Sequence, residues 1–276
     1  MGILNLTPDS FSDGGLWNDP HDPGQAVERG LALLAQGADL LDLGAESTRP
    51  GGGVYGEGAR TVPPEEEAAR LLPVLEALRG ATDAPISVDT RKGEVARQAL
   101  AAGADLINDV SALADPALGQ AVAEAGCPLV LMHSRGELGT MQKGIRFHDL
   151  LGEVRGELAQ AVERAVAAGI DASQLVLDPG IGFGKTAEQN LALLARLDEL
   201  APLGRPLLVG ASRKSFISRM GLPAPADRRL GGSLAAVFWA AALSAAIVRV
   251  HDVADTVQFL DVCYAIARQA RRGEGA

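Results

Sequence analysis

The chain has 276 residues, 47% of them hydrophobic, and a formal net charge of −10. That is enough apolar chain for one large domain or two small ones. The negative field excludes nucleic acid and anionic membrane as natural partners, so an anionic ligand has to be held by a local cluster of cations.

No basic segment precedes an apolar run at the start, so no signal peptide is visible. Cys127 and Cys263 each sit inside an apolar segment, away from any CxxC or histidine pair. They read as buried free thiols of a cytoplasmic protein.

The first apolar run, residues 2–4, stops at the polar stretch 5–15 (NLTPDSFSDGG) and reads as a buried strand feeding a loop. Residues 23–37 place apolar side chains at helical spacing and stop at Gly37. The short strand 38–44 (ADLLDLG) runs into a long polar loop, 45–61, with Thr48, Arg49, Pro50 and three consecutive glycines. Pro63 and Pro64 ahead of Glu65, Glu66 and Glu67 mark a helix start, with carboxylates facing the positive end of the dipole.

The alternation continues to the end. Strands are expected at 85–88, 105–107, 128–132, 174–177, 206–209 and 247–250. Helices are expected at 92–102, 116–125, 148–168, 188–200, 229–246 and 253–272. The uncharged stretch 230–248 reaches the ~18–20 residues of a membrane span. It opens with Gly231, Gly232 and Ser233 and is rich in alanine, so it reads as a packed helix running into a strand and as a subunit contact.

Short apolar strands, each followed by a helix, suit a parallel sheet covered on both faces. Eight such units in one chain predict an α/β fold of the (β/α)8 TIM-barrel type, a single domain over residues 1–276. An open doubly wound sheet would have fewer repeats and a glycine-rich first turn, where this chain has a Pro-Asp-Ser loop.

In such a barrel the residues just past each strand meet at one mouth. Here they are Asn5, Thr48, Arg49, Asp89, Asn108, Asp109, His133, Asp178, Arg213, Lys214, Arg249 and His251. One of four lysines, two of four asparagines and two of four histidines fall in this set. Singly, each could be a turn former; jointly they point to a site.

Asp89, Asn108 and Asp178 suit a flat heterocycle with an N–H edge that carboxylates can meet. Arg49, Arg249, His251 and Asn5 suit a phosphate or diphosphate, with Lys214 between the two groups. A nitrogen heterocycle carrying a diphosphate invites displacement, with a metal ion neutralising the leaving group.

Two features are decoys. Residues 179–186 (PGIGFGKT) resemble a phosphate loop, but Pro179 stands where that motif needs glycine, so a tight turn is the plainer reading. Phe183 and Lys185 within it keep a functional share. His133 has no second histidine or carboxylate at metal spacing and reads as structural.

MGILNLTPDSFSDGG, LDLGAESTRPG, SVDTRK, LINDVSA, DPGIGFGKT, GASRKSFI and RVHDV, in this order, resemble the successive motifs of the dihydropteroate synthases. The resemblance spans nearly the whole chain. It implies condensation of 7,8-dihydropterin-6-ylmethyl diphosphate with 4-aminobenzoate to 7,8-dihydropteroate and diphosphate. It further implies a need for Mg2+, inhibition by sulfonamides and a homodimer.

By the same resemblance, Asp89, Asn108, Asp178 and Lys214 correspond to the pterin set. Asn5 corresponds to the Mg2+ ligand, and Asn5, Arg249 and His251 to the diphosphate set. Thr48 and Arg49 correspond to contacts with the pterin diphosphate. Pro50, Phe183, Lys214 and Ser215 correspond to the aminobenzoate wall. Asn5, Asp89, Lys214 and Arg249 are the expected catalytic residues, with residues 7–15 a lid over the arylamine.

Members usually carry a hairpin ahead of the first strand, whereas Met1 opens inside it, so that strand is expected to be poorly held. The loop before Met141 lacks a usual proline and is expected to be looser. Two alternatives stay open. A pterin-dependent methyltransferase barrel would not need Arg249, His251 or the TPDSFSDGG loop. A non-catalytic pterin-binding barrel would bind without turnover.

Overall fold

The computed structural model describes residues 1–7, 23–46, 62–136 and 144–273. Eight parallel strands form the wall: β1 (Gly2–Asn5), β2 (Leu41–Gly44), β3 (Ile86–Asp89), β4 (Leu106–Asp109), β5 (Leu129–Met132), β6 (Leu175–Asp178), β7 (Leu208–Val209) and β8 (Ile247–Val248). β1 to β6 pair in sequence order, as do β7 and β8. Single bridges, Leu177 to Leu207 and Gly2 to Val250, close the ring. The predicted barrel is therefore present, and closure leaves no strand edge to protect.

Among the described residues the helices are α1 (Gly24–Ala35), α2 (Pro64–Ala81), α3 (Gly93–Ala101), α4 (Pro116–Ala125), α5 (Leu150–Ala167), α6 (Ala187–Ala195), α7 (Ser215–Met220), α8 (Leu230–Ala242) and α9 (Val253–Gly273). Local chemistry sets their starts. Pro64 and three glutamates open α2. Asp115 and Asp149 cap α4 and α5. Thr186 and Gln189 form a reciprocal capping box on α6. α7 was not expected, because six residues carry too little periodicity to register. The helix expected over 188–200 instead breaks after Ala195 into a 3-10 turn, Leu197–Leu203, that holds Pro202.

Leu71, Leu75 and Leu78 of α2 and Leu41, Leu43 and Ile86 of the strands belong to one buried layer between barrel and helices. Each stabilises the fold by about 1.5–3 kcal/mol. Inside the barrel the lower layer is apolar, built on Met1, Val130 and Leu208 with Leu40, Leu106, Val176 and Ile247. Two residues further along several strands the same face turns polar, in or just beneath the site. Leu40 leads to Asp42, Leu106 to Asn108, Val176 to Asp178 and Ile247 to Arg249.

Two expectations are corrected. β1 is held on both sides: Gly2 N–H donates to Leu40 O at 2.8 Å, Ile3 N–H donates to Val250 O at 3.0 Å, and Val250 N–H donates to Met1 O at 3.0 Å. Cys127 and Cys263 are free but half-buried: Cys127 lies in the connection between α4 and β5, and Cys263 lies on α9. Among the described residues no helix is long and apolar enough to cross a membrane.

Candidate active site

One cavity opens at the carboxyl ends of the strands. It is lined by Asn5 of β1, Asp89 of β3, Asn108 of β4, Asp178 of β6, Phe183, Lys214, Ser215, Arg249 and His251. Arg213 lines it too, so the described strand-end residues are brought together except Asp109 and His133, which lie outside this lining. Thr48, Arg49, Pro50 and the 8–15 part of the expected lid lie outside the described residues, as does most of the loop before Met141.

The acids and cations interlock. Arg249 Nε donates to Asp42 Oδ2 at 2.5 Å, and its Nη2 donates to Asp89 Oδ2 at 3.1 Å. Burial works against the guanidinium charge, and the carboxylates of Asp42 and Asp89 outweigh it, so its pKa rises. Burial pushes the Asp89 carboxyl up, with Arg249 opposing. Burial also pushes Asp178 up, with Lys214 opposing. Asp89 Oδ1 is buried without a hydrogen-bond partner among the described residues. Such an acceptor is costly unless a ligand donor reaches it.

Lys214 opens α7. Its ammonium donates to Ile181 O and lies 4.4 Å from the centroid of the Phe183 ring. Burial pulls its pKa down to about 8, against the pull of Asp178. Phe183 packs with Val110 and Met132 as an apolar wall. Ser212 Oγ lies 3.0 Å from His251 Nδ1 and accepts the His251 backbone N–H at 3.2 Å.

The turn after β6 explains the decoy. Gly180 and Gly182 both adopt positive φ, 69° and 85°. A Cβ at Gly180 would lie 1.8 Å from the His133 carbonyl oxygen, and one at Gly182 would lie 2.8 Å from Lys214 Cδ. The glycines are therefore there for close backbone approach. Lys185 of the same turn is buried. Its Nζ sits 2.8 Å from His133 Nδ1 and donates to Gly180 O and Phe183 O, both at 3.0 Å. His133 is structural as expected, but it is not alone: its Nε2 lies 3.0 Å from Glu157 Oε2.

Asp109 lies at a strand end but acts within the scaffold, whereas Arg213 both lines the cavity and holds the scaffold. Asp109 accepts from Ser111 N, Ser111 Oγ and Leu113 N, capping its own loop. Arg213 grips Asp252 through Nε at 3.0 Å and Nη2 at 2.5 Å.

Asp42, Ser212, Val110, Met132 and Glu46 were missed. Val110 and Met132 look like any core residue in a sequence. Glu46 lines the cavity, holds Arg91 Nε at 3.0 Å and accepts from Val62 N at 2.9 Å, so that Glu46 and Val62, on either side of residues 47–61, are joined. An aspartate inside the apolar run of β2 was the signal that could have found Asp42.

The comparisons agree with this geometry. Residues 1–251 match the family described as pterin binding enzyme. The dihydropteroate synthase of Synechocystis is 47% identical over 270 residues, covering 97% of this chain and 90% of that protein. The Yersinia pestis dihydropteroate synthase, solved as a sulfonamide drug complex, has a TM-score of 0.90 at 43% identity, covering 97% of this chain and 94% of that one. The Xanthomonas albilineans dihydropteroate synthase in complex with 7,8-dihydropteroate has a TM-score of 0.83 at 44% identity, covering 97% and 92%. The chain belongs to the pterin binding enzymes and, among them, to the dihydropteroate synthases, transferases of folate biosynthesis.

Proposed function

We propose that this chain condenses 7,8-dihydropterin-6-ylmethyl diphosphate with 4-aminobenzoate, using the residues at its barrel mouth. The observation that carries the assignment of roles is the convergence of three acceptor side chains, Asp89, Asn108 and Asp178, with three cationic or donor side chains, Lys214, Arg249 and His251, in one cavity. The acceptors meet the donor edge of the pterin ring. Arg249, His251 and Asn5 meet the diphosphate, with Thr48 and Arg49 as further contacts from the second loop. Phe183, Ser215 and Pro50 wall the aminobenzoate site, and Lys214 stands between the two substrates.

The C–O bond to diphosphate breaks first, and its electron pair leaves with the oxygen. The carboxylates of Asp89 and Asp178 favour the cation that develops on the pterin methylene. The arylamine is neutral at pH 7, so its lone pair attacks without a protein base, and the N–H proton passes to water.

Asn5 contributes a neutral amide oxygen, and among the described residues no group of three His, Cys, Asp or Glu could hold a metal. That donor set fits a Mg2+ carried largely by substrate phosphate and water, the usual way this ion is bound. When bound there, Mg2+ neutralises the charge of the departing diphosphate.

We assign all 276 residues to one pterin-binding domain and the enzyme to the cytoplasm, a reducing compartment that accords with its two free thiols. We also assign a homodimer. Phe238 and Trp239 of α8, and Val262, Tyr264 and Ile266 of α9, are about half exposed, and α8 packs beside α9. Exposed aromatic and branched side chains on neighbouring helices suit a second copy.

The test is turnover. With both substrates and Mg2+, dihydropteroate and diphosphate should appear in equal amounts. Pterin binding with no dihydropteroate would overturn the reading in favour of a non-catalytic barrel. Methyl transfer from a methylated pterin would favour a methyltransferase.

A further inference from the structure

Asp42 lies in the middle of β2, and its side chain is fully buried. It does not line the cavity, yet it touches two residues that do. Its Oδ2 accepts from Arg249 Nε at 2.5 Å and from Asn108 Nδ2 at 3.3 Å. Its Oδ1 is buried with no hydrogen-bond partner among the described residues.

A charge here needs a reason. The interior layers of such barrels are commonly filled by branched aliphatic residues. An ion pair in that place costs more in lost hydration than a well-packed apolar residue would. The carboxylate therefore does little for stability that leucine could not do. What leucine could not do is fix the direction of two polar side chains above it.

The consequences are geometric. Arg249 is gripped at Nε from below, which leaves its Nη groups for Asp89 and for the cavity. Asn108 is held by its amide nitrogen, which leaves its carbonyl oxygen for a ligand N–H. With Asp89 and Asp178, the mouth then presents three acceptors to a donor-rich edge. Asp89 holds Arg249 through a single 3.1 Å contact at Nη2, so the grip of Asp42 on Nε is what fixes the plane of the guanidinium.

We propose that Asp42 is a positioning residue for this reaction: one buried carboxylate oxygen orients the Arg249 guanidinium and the Asn108 amide for the pterin diphosphate. The inference rests on the function proposed above and names a residue that the function alone does not require. Its specificity consequence is selective. The pterin diphosphate depends on Asp42, whereas Phe183 and Ser215, the described part of the aminobenzoate wall proposed above, make no hydrogen bond with it.

The test uses the full chain and the variants Asp42→Asn, Arg249→Leu and Asp42→Leu with Arg249→Leu. For Asp42→Asn, kcat/KM for the pterin diphosphate should fall about tenfold to a hundredfold, as when other residues that orient a contact residue are lost. KM for 4-aminobenzoate should stay within about threefold, because that wall keeps its packing. The double variant should be worse than Arg249→Leu only by the share of Asp42 that acts through Asn108, and so better than the product of the separate losses.

An unchanged kcat/KM in Asp42→Asn would overturn the proposal. So would equal losses for both substrates in step with a lower melting temperature, or fully additive losses in the double variant. If Asp42→Asn does not fold, the comparison of the double variant with Arg249→Leu decides. If the native chain makes no dihydropteroate, the reaction assignment has failed, and a fluorescence titration of the pterin diphosphate still reads the role of Asp42.

Discussion

Lys185 Nζ lies 2.8 Å from His133 Nδ1, deep beneath the turn that carries Phe183. The carbonyls of Gly180 and Phe183 complete three acceptors for three ammonium protons. Burial nonetheless pulls the Lys185 pKa from 10.5 down to about 7, against the favourable charge of Asp178. The unfolded chain then binds more protons than the folded one between those two values. The contribution of Lys185 to stability is therefore lowest below about pH 7 and rises as pH climbs toward 10.5. Urea unfolding of the native chain and Lys185→Met at pH 6.5 and 9.5 checks this. The native chain should gain on the variant at the higher pH; a gap that does not move would mean that Lys185 titrates like an exposed lysine.

Gly180→Ala should be far more damaging than Gly204→Ala. Both glycines have positive φ, 69° and 62°. Only at Gly180 would the new Cβ meet backbone, at 1.8 Å from His133 O; at Gly204 nothing lies within 4 Å. Strain alone costs about 1 kcal/mol at Gly204, whereas Gly180→Ala should cost ~3 kcal/mol or more. Denaturant midpoints of the two variants give the comparison directly.

Lys214→Ala should lower kcat/KM by about 10²–10³-fold, the scale of losing one charged group aimed at a developing charge. The ammonium spans Ile181 O and the Phe183 face, so Lys214→Arg should recover little, since the broad guanidinium does not match that seat. Steady-state kinetics with each substrate varied checks both statements.

Asn5→Ala should raise the Mg2+ concentration needed for half-maximal rate by about tenfold. Chelation should abolish turnover in the native chain, and added Mg2+ should restore it. A Mg2+ dependence unaltered in the variant would remove Asn5 from the metal site.

The barrel was legible because eight apolar runs each end in polar residues and lead into a helix. A closed parallel barrel turns that linear order into a ring. Asn5, Asp89, Asn108, Asp178, Lys214, Arg249 and His251 were readable for the same reason: a strand end is a position, and positions are countable. Their partners were not. His133 and Lys185 are 52 residues apart, and Arg249 and Asp42 are 207 apart. Only closure of the barrel brings them together. Asp109 shows the limit of counting, since a strand-end side chain can turn back on its own scaffold. Val110 and Met132 show another, since an apolar cavity wall and an apolar core use the same residues.

A crystal structure of the protein with 7,8-dihydropteroate tests the central claim most directly, because that product occupies both halves of the mouth at once. The expected result is a pterin ring whose donor edge lies within hydrogen-bond distance of Asp89, Asn108 and Asp178, with the benzoate beside Phe183 and Ser215. A pterin seated away from those carboxylates, or bound outside the barrel mouth, would contradict it.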